Sequence, residues 1–318
     1  MRSVLPLMLA LWLVISPAYA WQSSSHKMTA GIAFTLLNEE QQQHVAAILH
    51  SHPRFKIDFA AAMPGAIAKA SESEQVLWMF ERAAIWPEIV RHISQADRTR
   101  YDRPTWHYIN LPVYLTEQDE AELAGKLDHN MSGSFEPPLR QNLNMVQALK
   151  GNLLVWQDAT ASDTEKAVAF CWILHLTGDV HQPLHNVALF SRTYFPKGDR
   201  GGNSIRIKYD DDVTNLHTIW DGLPNRFDNL SPDETTRELL SNDEAKTQSI
   251  SAWSTQHHKI AMEHVYTEEV RRQILQQVGD KRNPEISLTP EYLAIAAAVA
   301  RPQIIIAGHR IAALITND

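Results

Sequence analysis

Apolar residues recur at helical spacing along most of this chain, and polar loops separate the segments. The spacing predicts one helix over 26–37 and a second over 38–49. Asn38 and Gln41, at the start of the second segment, have the spacing of a capping box, in which each side chain bonds the other residue's backbone. Residues 26–49 therefore favour two consecutive helices.

The middle of the chain repeats this signal. Ser71 and Glu74 have the same capping spacing and predict a third helix, which Pro87 should break. A polar helix is predicted around 138–157. Ser162 and Glu165 then cap the most apolar helix of the chain, and Pro183 ends it. We expect that apolar helix to lie in the core.

Two segments look extended, namely 101–114 and 204–209, the latter a short strand in a β-hairpin. Residues 233–278 read as helical, and 290–315 as an Ala- and Ile-rich helix interrupted at Pro302. Repeats, low-complexity linkers and sharp composition breaks are absent from the sequence. We therefore predict an all-α fold, with a single mostly helical domain over 21–318 and a short β-hairpin.

The first twenty residues have the organisation of a signal peptide. Arg2 supplies the positive charge, an apolar run follows, and Ala18-Tyr19-Ala20 forms a small-residue cleavage site. Cleavage there would give Trp21 a free α-amine, which together with its own carbonyl oxygen can chelate a metal ion. Because other stretches look too short or too polar to span a bilayer, we expect a periplasmic or secreted protein without membrane contact after cleavage.

Charge and cysteine content exclude some classes of function. The chain of 318 residues has a net charge of −8, which argues against binding nucleic acid mainly through a basic surface. Its one cysteine, Cys171, cannot form an intrachain disulfide or a thiolate zinc cluster. The 15 histidines point instead to metal sites built from imidazole and carboxylate.

Two His-x-x-x-Asp pairs are candidates for such a site. His175 and Asp179 share one helix face, and His217 and Asp221 repeat the spacing. About one such pair is expected by chance, so spacing alone leaves two interpretations about equally open. The first pair either binds a metal or forms an internal hydrogen bond in the core.

Five longer motifs follow one another along the chain. They are WQSSSH from residue 21, WHYIN (106–110), HLTGDVHQPLH (175–185), GGN (201–203) and NLHTIWD (215–221). With these motifs the chain resembles the zinc-dependent single-strand nuclease family typified by the fungal nucleases S-one and P-one, and zinc phospholipase C is a more distant relative. The resemblance covers nearly the whole mature chain in the right order.

The resemblance implies three zinc ions per chain. All the implied ligands offer nitrogen or oxygen, which suits zinc. They are Trp21, His26 and Asp179 for the first ion, Glu88, His107, His175 and Asp179 for the second, and His185, His217 and Asp221 for the third.

The resemblance also implies roles for individual residues. Asp179 is shared by two ions, Glu88 orients the attacking water, and Arg91 stabilises the negative charge that develops on the phosphate. Arg91 and Asn203 match positions near the substrate. The family usually has Asp where this chain has Glu88, in the run Ala-Ile-Trp-Pro-Glu (84–88), and the extra methylene would move the carboxylate by about one C–C bond.

The expected activity is that of an exported zinc-dependent endonuclease. It would cleave single-stranded DNA and RNA to 5′-phosphorylated products, and 3′-nucleotidase activity is expected as well. Single-stranded nucleic acid and 3′-nucleotides are the expected binding partners, without a stable protein partner. One alternative is a phospholipase C-like phosphodiesterase acting on lipid headgroups, and another is an exported zinc-binding protein that has lost catalysis.

Overall fold

Helices make up most of the computed structural model, which describes residues 23–127, 142–209, 212–226, 237, 240–241, 249–279 and 281–316. The predicted signal peptide (1–20) and Trp21 lie outside the described residues. The helices are α1 (Ser23–Leu36), α2 (Glu39–His50), α3 (Glu72–Ala84), α4 (Trp86–Ile89), α5 (Gln95–Tyr101), α6 (Glu117–Leu123), α7 (Met145–Gln157), α8 (Asp163–Val180), α9 (Leu216–Gly222), α10 (Ile250–Ile260), α11 (Glu268–Leu275) and α12 (Pro290–Thr316). The prediction of one mostly helical domain is confirmed.

The predicted capping pairs start the helices as expected. Asn38 with Gln41 at α2, and Ser162 with Glu165 at α8, form reciprocal side-chain to backbone hydrogen bonds. The same box opens α3. Each box satisfies backbone N–H groups that the first helical turn leaves without partners. Local sequence thus fixes where these helices begin.

Helix α8 runs through the centre of the molecule, and beyond its polar first turn it is mostly apolar. From Ala169 to Val180 each of its residues is buried. Helices α7, α1, α2, α3 and α12 pack around it. A helix that is apolar all round must be covered by neighbours, so polar side chains near its C-terminus are enclosed as well.

Short strands lie beside the helices. They are β1 (Leu111–Tyr114), β2 (Val187–Phe190), β3 (Arg206–Tyr209), β4 (Asp212–Asn215) and β5 (Glu285–Ile286). β1 pairs in parallel with β2, with Leu111 opposite Val187. β3 forms the predicted hairpin with β4 and pairs in parallel with β5. Both sheets border the segments that follow α8.

Two predictions about backbone shape were wrong in part. Residues 101–114 are not extended throughout, because Pro104–His107 form a 3₁₀ turn before β1. Proline at a first helical position has a suitable φ and needs no donor there. Helix α12 is not interrupted at Pro302 but continues through it. Packing on both sides of Pro302 outweighs the one backbone hydrogen bond that proline removes.

Helix α12 also corrects the expectation about membranes. Among the described residues, it is long and apolar enough to cross a bilayer by length and composition. Half of its most apolar window is buried, and it packs closely on α1. At Gly308 an added Cβ would lie 2.5 Å from Ile32 Cγ2. The core therefore accounts for the buried half of this window.

Candidate metal centre

The last turns of α8 place two chemically active side chains in the core. His175 and Asp179 lie one turn apart on the same face, and both are fully buried. His175 Nε2 lies 3.4 Å from Asp179 Oδ2. The Gly178 between them allows α1 to approach, because a Cβ there would lie 2.6 Å from His26 Nδ1. The glycine of the HLTGD run is thus required by the position of the His26 ring.

The Asp179 carboxylate lies close to histidines from other segments of the chain. Its Oδ1 lies 3.4 Å from His26 Nε2, and its Oδ2 lies 3.1 Å from His107 Nδ1. The His26 and His175 rings stack with centroids 3.9 Å apart. The ligand atoms of His26, His175 and Asp179 all lie within 4.8 Å of one another. The two carboxylate oxygens therefore face different histidines, as a carboxylate shared by two ions would.

A second buried cluster adjoins the first. The ligand atoms of His185, His217 and Asp221 lie within 4.8 Å of one another. His185 belongs to the 3₁₀ turn after α8, whereas the other two lie on α9, where His217 Nε2 is 3.4 Å from Asp221 Oδ2. His185 Nδ1 also lies 3.7 Å from Asp179 Oδ1. The two clusters are therefore continuous.

Backbone carbonyls fix the tautomer of three of these rings. The Nδ1 atoms of His175, His185 and His217 donate to carbonyl oxygens, at 2.8, 2.6 and 2.7 Å respectively. A carbonyl only accepts, so the proton sits on Nδ1 and the Nε2 lone pair is left for the cluster. Outer hydrogen bonds of this kind orient metal-ligating histidines.

The loop that carries the Gly201 carbonyl is itself held in place by close packing and by hydrogen bonds. Gly201, whose carbonyl accepts from His217, has φ +59°, and a Cβ there would lie 2.3 Å from the Leu184 oxygen. Asp199 is fully buried and accepts hydrogen bonds from the Gly202 N–H and the Tyr266 hydroxyl. No local sequence pattern marks Asp199, because only the fold brings Tyr266 to it.

Gln182 is a second residue of the site that is not among the predicted site residues. Its amide donates to Asp221 Oδ1 at 2.8 Å, and its side-chain oxygen accepts from the Leu184 N–H. It therefore connects α9 to the turn that carries His185. Its position inside the HQPLH run was a signal for it, although the run alone gave it no role.

Some of the polar atoms of the centre have no protein partner, and their arrangement fits a bound cation. Buried polar groups are nearly always hydrogen-bonded, and an unsatisfied one costs about 1–3 kcal/mol. Here several nitrogen and oxygen atoms are buried without a hydrogen bond, and this donor set suits zinc. They are His26 Nδ1 and Nε2, His107 Nε2, His185 Nε2, Glu88 Oε1, Asp179 Oδ1 and Asp221 Oδ2.

Burial also sets the charge of the candidate ligands. It lowers the pKa of His107 to about 4 and that of His217 to about 3. These rings are therefore neutral at pH 7, which is the form that binds metal. Burial raises the pKa of Glu88 and, despite the hydrogen bond from Gln182, that of Asp221. A cation between these groups would favour their ionised forms.

The other predicted site residues lie around the same centre. Glu88, in α4, is 4% exposed and accepts a hydrogen bond from Ser23 Oγ at 2.8 Å. Arg91 and Asn203 line a cleft of about 580 Å³ into which His107, His185 and His217 also open. Trp21 lies outside the described residues, two positions before Ser23. All the predicted site residues that the structure describes thus converge on one region.

Comparison with known proteins identifies the family. The family model of the S1/P1 nucleases matches residues 21–317. The chain is 41% identical to Nuclease S1 of Aspergillus oryzae over 58 residues, which cover 18% of this chain and 17% of that protein. It is 27% identical to Endonuclease 5 of Arabidopsis thaliana over 138 residues, 43% of this chain and 41% of that protein.

One alignment extends over almost the full length of both proteins. Endonuclease 1 of Arabidopsis thaliana is 23% identical over 334 aligned positions, covering 99% of this chain and 92% of that protein. The matches to Nuclease S1 and Endonuclease 5 each span less than half of those relatives. The family model, however, extends over residues 21–317, with the buried histidines and aspartates inside it. The chain therefore belongs to the S1/P1 nuclease family.

Proposed function

We propose that this protein is a zinc-dependent endonuclease that hydrolyses single-stranded DNA and RNA to 5′-phosphorylated products. The observation that carries the proposal is the pair of adjoining buried clusters, in which several ligand atoms, among them His185 Nε2, Asp179 Oδ1 and Asp221 Oδ2, have no hydrogen-bond partner. Membership of the family supports nucleic acid as the substrate. We extend the proposal to the removal of phosphate from 3′-nucleotides.

Three zinc ions are proposed. The first would be held by Trp21, His26 and Asp179, the second by Glu88, His107, His175 and Asp179, and the third by His185, His217 and Asp221. Bound zinc would supply a water of lowered pKa and would offset charge on the phosphate oxygens. The hydrogen bond from Ser23 to Glu88 supports the first assignment, because it places the start of α1 beside the centre.

The chain's own residues would bind and orient the substrate. The Arg91 guanidinium matches phosphate oxygens in geometry and charge, and it faces the same cleft as His107 and His185. Glu88, with one free oxygen, would orient the water for attack. Tyr108, 41% exposed, also lines the cleft and offers a ring on which an unstacked base can lie. A base can reach this ring only when it has left its stack, which favours single strands as substrate.

Export is part of the proposal. Removal of residues 1–20 would deliver the protein to the periplasm or the medium and expose the Trp21 amine. Mass spectrometry of protein recovered outside the cytoplasm should give a chain beginning at Trp21. Protein that carries one additional residue before Trp21 should bind less zinc, and equal zinc content in both forms would contradict the role of the amine.

The central experiment combines metal analysis with cleavage. Correctly processed protein should hold about three zinc ions per chain and should cut a labelled single strand faster than the matching duplex. Mass spectrometry of the fragments should show 5′-phosphates. Hydrolysis of phosphatidylcholine without cleavage of DNA or RNA would favour the phospholipase C-like alternative. Zinc binding without hydrolysis of either substrate would favour a non-enzymatic zinc protein.

A further inference from the structure

The cleft that opens onto the metal centre has a charge opposite to that of the whole chain. The chain carries a net charge of −8, yet four cationic side chains line this cleft of about 580 Å³: Arg91, Arg98, Lys197 and Arg200. Among the described residues that line it, Asp102 is the one carboxylate, and it lies 3.7 Å from Arg98. The cleft is thus a local basic surface on an acidic protein.

Two of these cations lie away from Arg91 in the sequence. Lys197 and Arg200 belong to the loop between β2 and β3, and both are exposed. The same loop continues into Gly201, whose carbonyl orients His217. The loop therefore carries positive charge along the cleft wall next to the second histidine cluster.

Arg200 has an unusual backbone conformation. Its φ is +62°, in the left-handed region, and the following Gly201 and Gly202 have φ values of +59° and +82°. Glycine adopts this region without strain, whereas a residue with a Cβ does so at a cost. The Asn203 side chain holds the turn by donating to the Arg200 carbonyl at 2.9 Å. The chain therefore keeps an arginine where glycine would be the more stable residue, and strain of this kind is concentrated at functional sites.

We propose that Arg200, together with Lys197, binds a backbone phosphate of the substrate strand at a position beyond the cleaved bond. This rests on the proposed function and deepens it, because it makes the cleft a subsite for polynucleotides rather than for a single nucleotide. Arg91 would bind the phosphate at the metal centre. Lys197 and Arg200 would bind the neighbouring backbone phosphates along the same strand. A guanidinium and an ammonium are both suited to phosphate, the first through a fork of donors and the second as a point charge.

The decisive variants are Arg200→Gly and Arg200→Ala, with Arg206→Ala as the matched control. Arg206 is an exposed arginine on β3 that pairs with Glu285 outside the cleft, so its loss changes net charge equally. Both Arg200 variants should raise the KM for a single-stranded 20-mer about tenfold more than the KM for a 3′-nucleotide. Arg206→Ala should change neither.

Binding provides a readout that does not depend on cleavage. Zinc-loaded protein and a fluorescent phosphorothioate single strand are titrated at several salt concentrations. Loss of one phosphate contact should lower the slope of log K against log salt by about 0.7 for a single strand. Arg200→Gly should also melt at or above the wild-type temperature, because glycine relieves the left-handed strain.

Each outcome decides the matter. Equal loss on the 20-mer and the 3′-nucleotide would place Arg200 at the cleaved phosphate or in the scaffold and would overturn the subsite. An unchanged salt slope would overturn it as well. Wild-type protein that binds the single strand through Arg200 but cleaves nothing would refute the nuclease proposal while supporting the phosphate subsite.

Discussion

Two buried groups of histidines flank the C-terminal end of α8, and they differ in how their nitrogens are satisfied. One is the candidate metal centre around Asp179, called the metal centre below. The other, the paired-histidine cluster, consists of His181, His257, Gln303 and Arg310. Both are buried, and His175, His181 and His185 all come from one eleven-residue run.

In the paired-histidine cluster each ring nitrogen has a protein partner. His181 Nδ1 donates to the Thr177 carbonyl, and its Nε2 lies 2.7 Å from Arg310 Nη1. His257 Nδ1 lies 2.8 Å from the Trp253 carbonyl oxygen, and its Nε2 lies 2.8 Å from Gln303 Oε1. Carboxylates do not appear among its four members. In the metal centre, by contrast, Nε2 atoms and carboxylate oxygens are left without partners.

The difference teaches how a structural histidine cluster can be told from a metal site. Imidazoles whose nitrogens are all paired with protein groups can stabilise a core without a ligand. Imidazoles that converge with carboxylates and leave lone pairs unused fit a bound cation, which would offset the cost of burying them. Substitutions and a change of pH that act on one group at a time test this distinction.

Asp179→Ala should have the greatest consequence for the metal centre. Because the two oxygens of Asp179 face different histidines, its loss should release more than one metal ion. We expect kcat/KM on single-stranded DNA to fall at least about 1,000-fold. Metal analysis and initial rates check this, with Asp163→Ala at the exposed start of the same helix as control. Loss of a single ion would refute the bridging role.

Acid should destabilise the metal-free protein partly through the paired-histidine cluster. Burial lowers the pKa of His257, and likewise of His52, to about 4. The unfolded chain protonates these rings near pH 6.5, so it binds more protons than the folded chain between pH 6.5 and 4. Stability is therefore complete above pH 6.5 and falls as the pH drops toward 4, by up to about 3 kcal/mol for each ring.

Urea unfolding of EDTA-treated protein at several pH values measures this loss. His257→Gln should flatten the pH dependence, because one titrating ring is removed. His44→Gln provides the control, since His44 is exposed. An identical pH dependence in wild type and His257→Gln would show that this ring does not couple folding to protons.

Gly178→Ala should weaken the metal centre although it does not replace any ligand. The new Cβ would lie 2.6 Å from His26 Nδ1, so the ring must move. Displacing a ligand in this way should lower zinc affinity about 10- to 100-fold. Gly31→Ala is the matched control, because its Cβ would meet its nearest neighbour at an ordinary 3.6 Å. Equal zinc affinity in both variants, measured by competition with a chelator, would contradict the close packing of His26.

Glu88→Asp should have the smallest effect. The shorter side chain withdraws the carboxylate by about one C–C bond and lengthens its contact with Ser23. We expect zinc to be retained and the cleavage rate to change less than about tenfold, since aspartate is also a competent zinc ligand. Complete loss of zinc would show that the site needs the longer side chain of glutamate at position 88 to bind the ion.

The sequence by itself determined the helical framework. The capping boxes at Asn38, Ser71 and Ser162 form as predicted, because capping depends on residues three apart in the chain. The i, i+4 pairs on α8 and α9 were likewise readable from spacing. The longer motifs were sufficient to indicate the family, which the comparison confirms.

The tertiary structure decided what local patterns leave open. It keeps α12 continuous through Pro302, because packing along the helix outweighs one lost hydrogen bond. It also separates His181 from His175 and His185, although one short run contains all three. Whether a buried nitrogen finds Arg310 or is left with its lone pair unused depends on segments more than a hundred residues away. Long-range packing, which one-dimensional spacing does not encode, therefore distinguishes the metal centre from the paired-histidine cluster.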